Sequence, residues 1–274
     1  IPYHAEKTEY QNHATELVAE AVSSGYNRIG VFSGDGTLNE VLQGMFIEDQ
    51  IISSEIKLIF FPAGSSCDFE KKFKNKRGLL DRIQADDSVS IDIFKVECQD
   101  FSGKPISRYV INNSSIGIIS FANEKFNSVT GLTKTLKQMS VDIGAVICGL
   151  QAITQFGPFN AEMSIDGKNI PLRSLSNTSV FKTSNFGGDM SYGIDTIQDD
   201  GQLSVVWLDG TSKFGLATMM PSLFTGTVLN KKLAHYKTCH EFELNTSDTV
   251  IVETDGENIG TPPIKYSILP KALQ

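Results

Sequence analysis

Apolar and polar positions follow two different rhythms along this chain. In its first third, short unbroken apolar runs are each followed by helical spacing. Residues 6–24 carry an apolar stripe at Ala14, Leu17, Val18, Ala21 and Val22, the face of one helix, with Gly25 as its C-cap. A strand over 28–32 contains the run Ile29–Phe32 and ends in Ser33-Gly34-Asp35-Gly36-Thr37. Leu38, Val41, Leu42 and Met45 then recur at helical spacing, which predicts a helix over 38–46. Ile56–Phe61 repeats the pattern as a second buried strand. It runs into Pro62-Ala63-Gly64-Ser65-Ser66-Cys67-Asp68-Phe69 and a basic helix. Two strand–loop–helix units in succession predict a parallel sheet whose loops share the edge where such sheets bind ligands.

From about residue 88 the rhythm becomes alternation. Strands are predicted over 89–96, 108–117, 161–168 (ending in the Asp166-Gly167 turn), 176–181, 203–208 and 249–253. Short strands punctuated by turns predict an antiparallel sandwich or barrel. Two helical insertions interrupt it, about 131–155 and 212–224. The first has a broad apolar face, Leu136, Met139, Ile143, Val146, Ile147, Leu150 and Ile153. Core packing is the plain reading of that face, and a wall that accepts lipid is the sharper one.

The turn 33–37 carries the first candidate chemistry. A strand, a glycine turn and a helix N-terminus aim free backbone N–H groups at one point, where a phosphate can sit. Asp35 is out of place in a bare anion site, because a carboxylate repels phosphate unless a cation lies between them. It points to a Mg²⁺–nucleotide site. A simple capped turn would use the same residue types.

Composition narrows the field. The chain has 274 residues and a formal net charge of −8. Its longest basic run is Lys71-Lys72-Phe73-Lys74-Asn75-Lys76-Arg77. Nucleic-acid binding is excluded as a general role, since it needs a basic face. The four cysteines, Cys67, Cys98, Cys148 and Cys239, lack zinc-site spacing and suit a reducing cytosol. No apolar run reaches the length of a membrane span.

Taken together, these segments resemble the diacylglycerol kinase catalytic-domain family, whose superfamily includes sphingosine kinases, bacterial lipid kinases and, more distantly, NAD kinases. Ser33-Gly34-Asp35-Gly36-Thr37-Leu38-Asn39-Glu40-Val41 is similar to its GGDGTxNEV signature, and Pro62–Phe69 to P-x-G-T-x-N-D-F. Asn112–Gly117, then Gly187-Gly188-Asp189-Met190 with Asp199-Asp200-Gly201, then Asp255-Gly256-Glu257 with Leu269–Leu273, follow in family order. The likeness spans nearly the whole chain. It departs at Ser33 for Gly, Ser65 for Thr, Cys67 for Asn and Tyr192-Gly193-Ile194 for P-x-A. The family's opening strand and N-P-x-[SA]-G turn are also missing, so the chain is expected to begin inside its first domain.

The resemblance implies a Rossmann-like α/β nucleotide-binding domain over residues 1–93, with about 267–274 returning to it. It further implies an all-β sandwich domain with helical insertions over 94–266, which takes the lipid, and an active site in the interdomain cleft. ATP would be held by Gly34 to Glu40, that is Gly34, Asp35, Gly36, Thr37, Leu38, Asn39 and Glu40, with Thr8, Ser33, Gly64 and Ser65. A structural Mg²⁺ would be held by Asp200 and the carbonyls of Ile197 and Gln202. Glu257 would accept a proton, with Asp35 positioning the catalytic Mg²⁺ and Asp255 as a second base or metal contact. The expected activity is phosphoryl transfer from ATP to a diacylglycerol-like or sphingosine-like hydroxyl. The expected setting is the cytoplasm, with transient docking at a membrane; a homodimer is left open. An NAD kinase and a non-catalytic nucleotide- or lipid-binding module are the competing readings.

Overall fold

The computed structural model describes residues 3–53, 55–73, 77–128 and 141–274. The first third contains α1 (His13–Ser23), β1 (Arg28–Ser33), α2 (Asp35–Gly44), the small hairpin β2 (Phe46–Ile47) and β3 (Gln50–Ile51), β4 (Lys57–Pro62), α3 (Asp68–Lys71) and α4 (Leu79–Gln84). Strands β1 and β4 pair in parallel, with Ser33 opposite Pro62, so both glycine turns leave the same edge. Helix α1 starts later than its predicted residue 6. Residues 6–12 are all exposed, so no burial offsets the cost of ordering them, and Asn12 takes a left-handed φ of 67°. Gly44 lets α1 lie against α2: a Cβ there would stand 2.3 Å from the Thr15 carbonyl oxygen. Val18, Val31, Leu38, Leu42, Phe60 and Phe69 form the core of this layer. Full burial of each such side chain contributes about 1.5–3 kcal/mol.

The remaining strands are β5 (Ile91–Gln99), β6 (Pro105–Val110), β7 (Asn113–Gly117), β8 (Phe159–Ile165), β9 (Lys168–Phe181), the short pair β10 (Asn185–Phe186) and β11 (Met190–Ser191), β12 (Leu203–Asp209), β13 (Ala234–Cys239), β14 (Glu241–Asn245), β15 (Val252–Thr254) and β16 (Glu257–Leu273). All but β10 and β11 join one antiparallel sheet. Its pairing path closes on itself: β9 pairs with β7, β7 with β15, β15 with β16, β16 with β14, β14 with β8, and β8 with β9. Two long strands make this closure possible. The first half of β9 pairs with β8 and its second half with β7 and β12. Strand β16 pairs with β15 at its start and with β14 and β5 further on. The interior is a continuous apolar core that includes Phe94, Val96, Val180, Val205, Phe242 and Tyr266.

Three helices, α5 (Ile118–Ser128), α6 (Val141–Gln155) and α7 (Lys213–Phe224), lie beside a third apolar cluster built on Phe181, Val206 and Leu208. Residues 141–155 of the predicted insertion 131–155 form α6; its first part, with Leu136 and Met139, lies outside the described residues. The last strand returns to the first layer: Leu273 is buried in its core, and the Leu58 amide donates to the Gln274 carbonyl at 2.7 Å. The chain is thus a mixed α/β protein with a β-rich C-terminal part. No helix among the described residues is long and apolar enough to cross a membrane.

Candidate active site

The two glycine turns touch. A Cβ on Gly64 would stand 2.3 Å from Gly34 Cα, closer than side-chain atoms tolerate, so the contact needs glycine at 64; a Cβ on Gly34 would be a tight 3.2 Å from Gly64 Cα. Helix α2 begins at Asp35, directly after Gly34. The Asp35 carboxylate accepts the backbone N–H groups of Asp68 (2.9 Å) and Phe69 (3.1 Å), at the start of α3, and Asn112 Nδ2 approaches it at 3.4 Å. Asp35 therefore locks the first glycine turn onto the second. Asn112 is buried, and its Oδ1 has no hydrogen-bond partner.

A cavity of about 1420 Å³ opens from this junction. Gly34, Asp35, Gly36, Gly64, Ser65 and Ser66 line one end, with Asn112, Asn113, Glu253, Asp255 and Gly256 beside them. Its far end is apolar: Ile118 and Ile119 of α5, Ala145, Cys148 and Ile153 of α6, and Leu216, Met219 and Leu223 of α7. Helices α6 and α7 approach closely at Gly149, where a Cβ would meet Met220 Cε at 2.1 Å.

The turn 255–256 supplies the opposite wall. Asp255, buried and left-handed at φ 45°, accepts from four donors: Asn39 Nδ2 (2.7 Å) and the amides of Ile111 (3.1 Å), Asn112 (3.0 Å) and Asn113 (3.0 Å). Burial pushes its pKa up to about 6 against these hydrogen bonds. Glu253 is 4% exposed, lines the cavity and accepts from the Gly256 amide. Burial raises its pKa to about 8; the Gly256 hydrogen bond opposes this and the Asp255 charge adds to it. Glu257 begins β16, half-buried, one residue beyond the lining.

Lys71 ties a third loop to the site. Its Nζ meets Asp68 Oδ1 at 2.9 Å, Asp189 Oδ1 at 3.7 Å and the Gly188 carbonyl, while the Gly188 amide donates to Ser66 Oγ at 3.1 Å. Burial raises the Asp68 pKa, and the Lys71 and Ser66 hydrogen bonds counter it. Lys72 Nζ is buried without a hydrogen-bond partner. Burial first, and the Lys182 charge next, lower its pKa to about 7.

Of the residues implied for ATP, Gly34, Asp35, Gly36, Gly64 and Ser65 meet at the cavity. The others lie elsewhere. Leu38 is fully buried in the first core, and Asn39 holds Asp255 and the Tyr109 carbonyl. Glu40 braces α1: its carboxylate accepts the Ala14 amide at 3.3 Å and its backbone carbonyl accepts the Thr15 hydroxyl at 2.7 Å. Ser33, Thr37 and the exposed Thr8 are outside the lining. Asp200 and Gln202 come together around a lysine: Lys182 Nζ donates to Asp200 Oδ1 (2.8 Å), the Gln202 carbonyl (2.9 Å) and Asp92 Oδ2 (2.9 Å). The Ile197 side chain is 60% exposed. Sequence reasoning missed Glu253, Lys71 and the Lys182–Asp92 pair. The signal for the pair was a lone Lys after Val180-Phe181 and a lone Asp between Ile91 and Ile93.

Two family models account for nearly all of the chain. One, described as the diacylglycerol kinase catalytic domain, matches residues 1–96; the other, the YegS C-terminal NAD kinase beta sandwich-like domain, matches residues 115–274. The chain belongs to the diacylglycerol kinase catalytic-domain family. Within this family, a diacylglycerol kinase of Mycobacterium tuberculosis (strain ATCC 25618 / H37Rv) is 24% identical over 272 residues, covering 95% of this chain and 80% of its own length. A probable lipid kinase YegS-like of Shewanella frigidimarina is 22% identical over 266 residues, covering 94% and 79%. A crystal structure of a putative diacylglycerol kinase from Bacillus anthracis str. Sterne has the same fold, with a TM-score of 0.73 at 19% identity over 97% of this chain and 83% of that one.

Proposed function

We propose that this lipid-kinase family member transfers the γ-phosphoryl group of ATP to the hydroxyl of a diacylglycerol-like or sphingosine-like lipid. One observation carries the reading: a single cavity joins two touching glycine turns to an apolar end walled by α5, α6 and α7. A polar nucleotide and an acyl chain need those two chemistries within reach of each other. The α/β layer, residues 1–93 with 267–274, serves in this reading as a Rossmann-like nucleotide domain. Residues 94–266 serve as the lipid domain, with the cavity as the cleft between them.

Backbone amides of Gly34, Gly36, Gly64 and Ser65 suit the phosphates, since glycine turns admit them closely. Asp35 and the orphan Asn112 Oδ1 fit a hydrated Mg²⁺, because both are oxygen donors beside the cavity and one has no partner. Bound there, Mg²⁺ would offset charge on the transferring group. Glu257 accepts the proton of the attacking hydroxyl, and Asp255 holds the turn that carries it. Glu253, whose pKa of about 8 keeps it protonated at neutral pH, serves as a hydrogen-bond donor toward the same space. Ile143 and Leu150 of α6 and Phe214 of α7 are exposed apolar side chains beside the apolar end, suited to transient contact with a lipid surface.

The test is a panel of diacylglycerol, sphingosine, phosphatidylglycerol and NAD with labelled ATP, run on wild type, Asp35→Asn and Glu257→Gln. Label in a lipid, lost in both variants, is the expected result. Label in NAD alone would establish the nicotinamide reading, and ATP binding without transfer the non-catalytic one.

A further inference from the structure

The acidic turn Asp199–Gln202 is where the family resemblance implies a bound divalent ion, and it already contains a cation. Lys182, the residue directly after β9, reaches it. An ammonium group has three protons, and all are used: Nζ donates to Asp200 Oδ1 at 2.8 Å, to the Gln202 carbonyl at 2.9 Å and to Asp92 Oδ2 at 2.9 Å. Lys182 is 2% exposed and Asp92 0%. Asp92 is tied down independently, accepting the Gly201 amide at 2.7 Å and the Lys271 amide at 2.8 Å. Asp200 Oδ1 also accepts the Gln202 amide at 3.0 Å.

Two of the oxygens expected to ligate a metal, Asp200 Oδ1 and the Gln202 carbonyl, therefore already hold the ammonium, while Asp200 Oδ2 and the Ile197 carbonyl stand outside its three hydrogen bonds. Divalent cations sit roughly 2.0–2.6 Å from their oxygen ligands. An ion between Asp200 Oδ1 and the Gln202 carbonyl would coincide with Nζ, and one drawn to the outer side of Asp200 would face a unit positive charge across the same carboxylate. With Lys182 in place, these residues do not fit a metal ion that bridges Asp200 and Gln202.

We propose that Lys182 is the resident cation of this turn, a covalently attached substitute for a divalent ion, so that the chain binds no metal there. The fully buried Asp92 carboxylate needs a positive charge beside it, and Lys182 shares that charge with the partly exposed Asp200. A lysine supplies it without depending on metal supply. The joint between β5, β9, the 199–202 turn and the end of β16 is then held under conditions in which a chelator would dismantle a metal-held one.

Thermal unfolding of the nucleotide-free protein tests this without reference to catalysis. The wild-type Tm is expected to be the same in EDTA and in millimolar Mg²⁺, Ca²⁺ or Mn²⁺ at matched ionic strength. Lys182→Met keeps most of the stem but removes the charge. It is expected to melt lower in EDTA and to regain roughly 5–10 °C when a divalent ion is present at about 100 times its Kd. A wild-type Tm that falls in EDTA and returns with a stoichiometric ion would overturn the proposal. Should Lys182→Met not fold, Mn²⁺ titration followed by electron paramagnetic resonance decides the matter on the folded protein. Mn²⁺ bound to nucleotide-free wild type, retained in Asp35→Asn and lost in Asp200→Asn, refutes the assignment. Binding that is absent, or lost in Asp35→Asn, supports it. Failure of the lipid-kinase reading would leave each of these outcomes unchanged.

Discussion

Glu253 offers the sharpest test of the electrostatics at the cavity. Its pKa is raised from 4.5 to about 8, mainly by burial, with the Asp255 charge adding to it and the Gly256 hydrogen bond opposing it. For an acid held protonated by the fold, the unfolded chain releases its proton first. Stability is then unaffected below pH 4.5, falls as pH rises from there, and levels off above about 8. The slope between these limits is about 1.4 kcal/mol per pH unit, so roughly 3 kcal/mol is lost by pH 7. Glu253→Gln has nearly the same shape and cannot ionise. The measurement is urea unfolding of both proteins at pH 5, 6, 7 and 8. The stability difference should shift in favour of the variant by about 1.4 kcal/mol per unit from pH 5 to 7, then flatten. Titrating groups remote from Glu253 cancel in that difference, which leaves Glu253 and the neighbouring Asp255, whose charge it feels, to set the profile. Parallel pH profiles would refute the reasoning, because they would mean that Glu253 ionises in the folded state as it does in the unfolded one.

Asp255→Ala strips the acceptor from four donors, three of them backbone amides, and at about 1–3 kcal/mol for each unsatisfied group it should cost at least 4 kcal/mol in urea unfolding. Gly64→Ala forces a Cβ to 2.3 Å from Gly34 Cα, so the turns must part. It should lose about 1–3 kcal/mol and weaken ATP binding in calorimetry, and unchanged ATP affinity would separate the turns from the nucleotide. Ala145→Phe fills the apolar end of the cavity. It should raise the KM for the lipid while leaving that for ATP in place, and equal effects on both would count against a separate acyl site.

The parallel pair and the turns that leave its edge were legible because each strand is an unbroken apolar run cut off by small residues, as at Ile29–Phe32 and Ile56–Phe61. Strand β8 was legible from its alternation and β12 from its apolar run. Strand β16, the longest, was not read as a strand. Pro262, Pro263 and Pro270 interrupt its pattern, and its register shifts between Thr261 and Lys265 and between Leu269 and Leu273. Partners on β5, β14 and β15 hold it extended, and long-range pairing of that kind leaves no mark on a local window. The candidate site divides likewise. Gly34, Asp35 and Gly64 announce themselves by residue type. Asn39 and Glu40 belong to the same motif, but the fold uses them as braces, toward Asp255 and Ala14. Lys182 meets Asp92 across 90 residues of chain, and only the folded sheet reveals the meeting.

The path of β16 also governs how the protein can be made. Its final residues complete the core that the first ninety or so begin: Leu273 packs among them, and Gln274 accepts from Leu58. A ribosome delivers the opening segment long before that closing one. At about 5–20 residues per second the wait from residue 96 to residue 274 is roughly 10–35 s. Through that interval the nascent α/β layer lacks one wall and presents Phe60, Phe69 and their neighbours unfinished. Newly made copies should for that time be clients for chaperones that shield nascent apolar surface, until the last strand emerges and seals it.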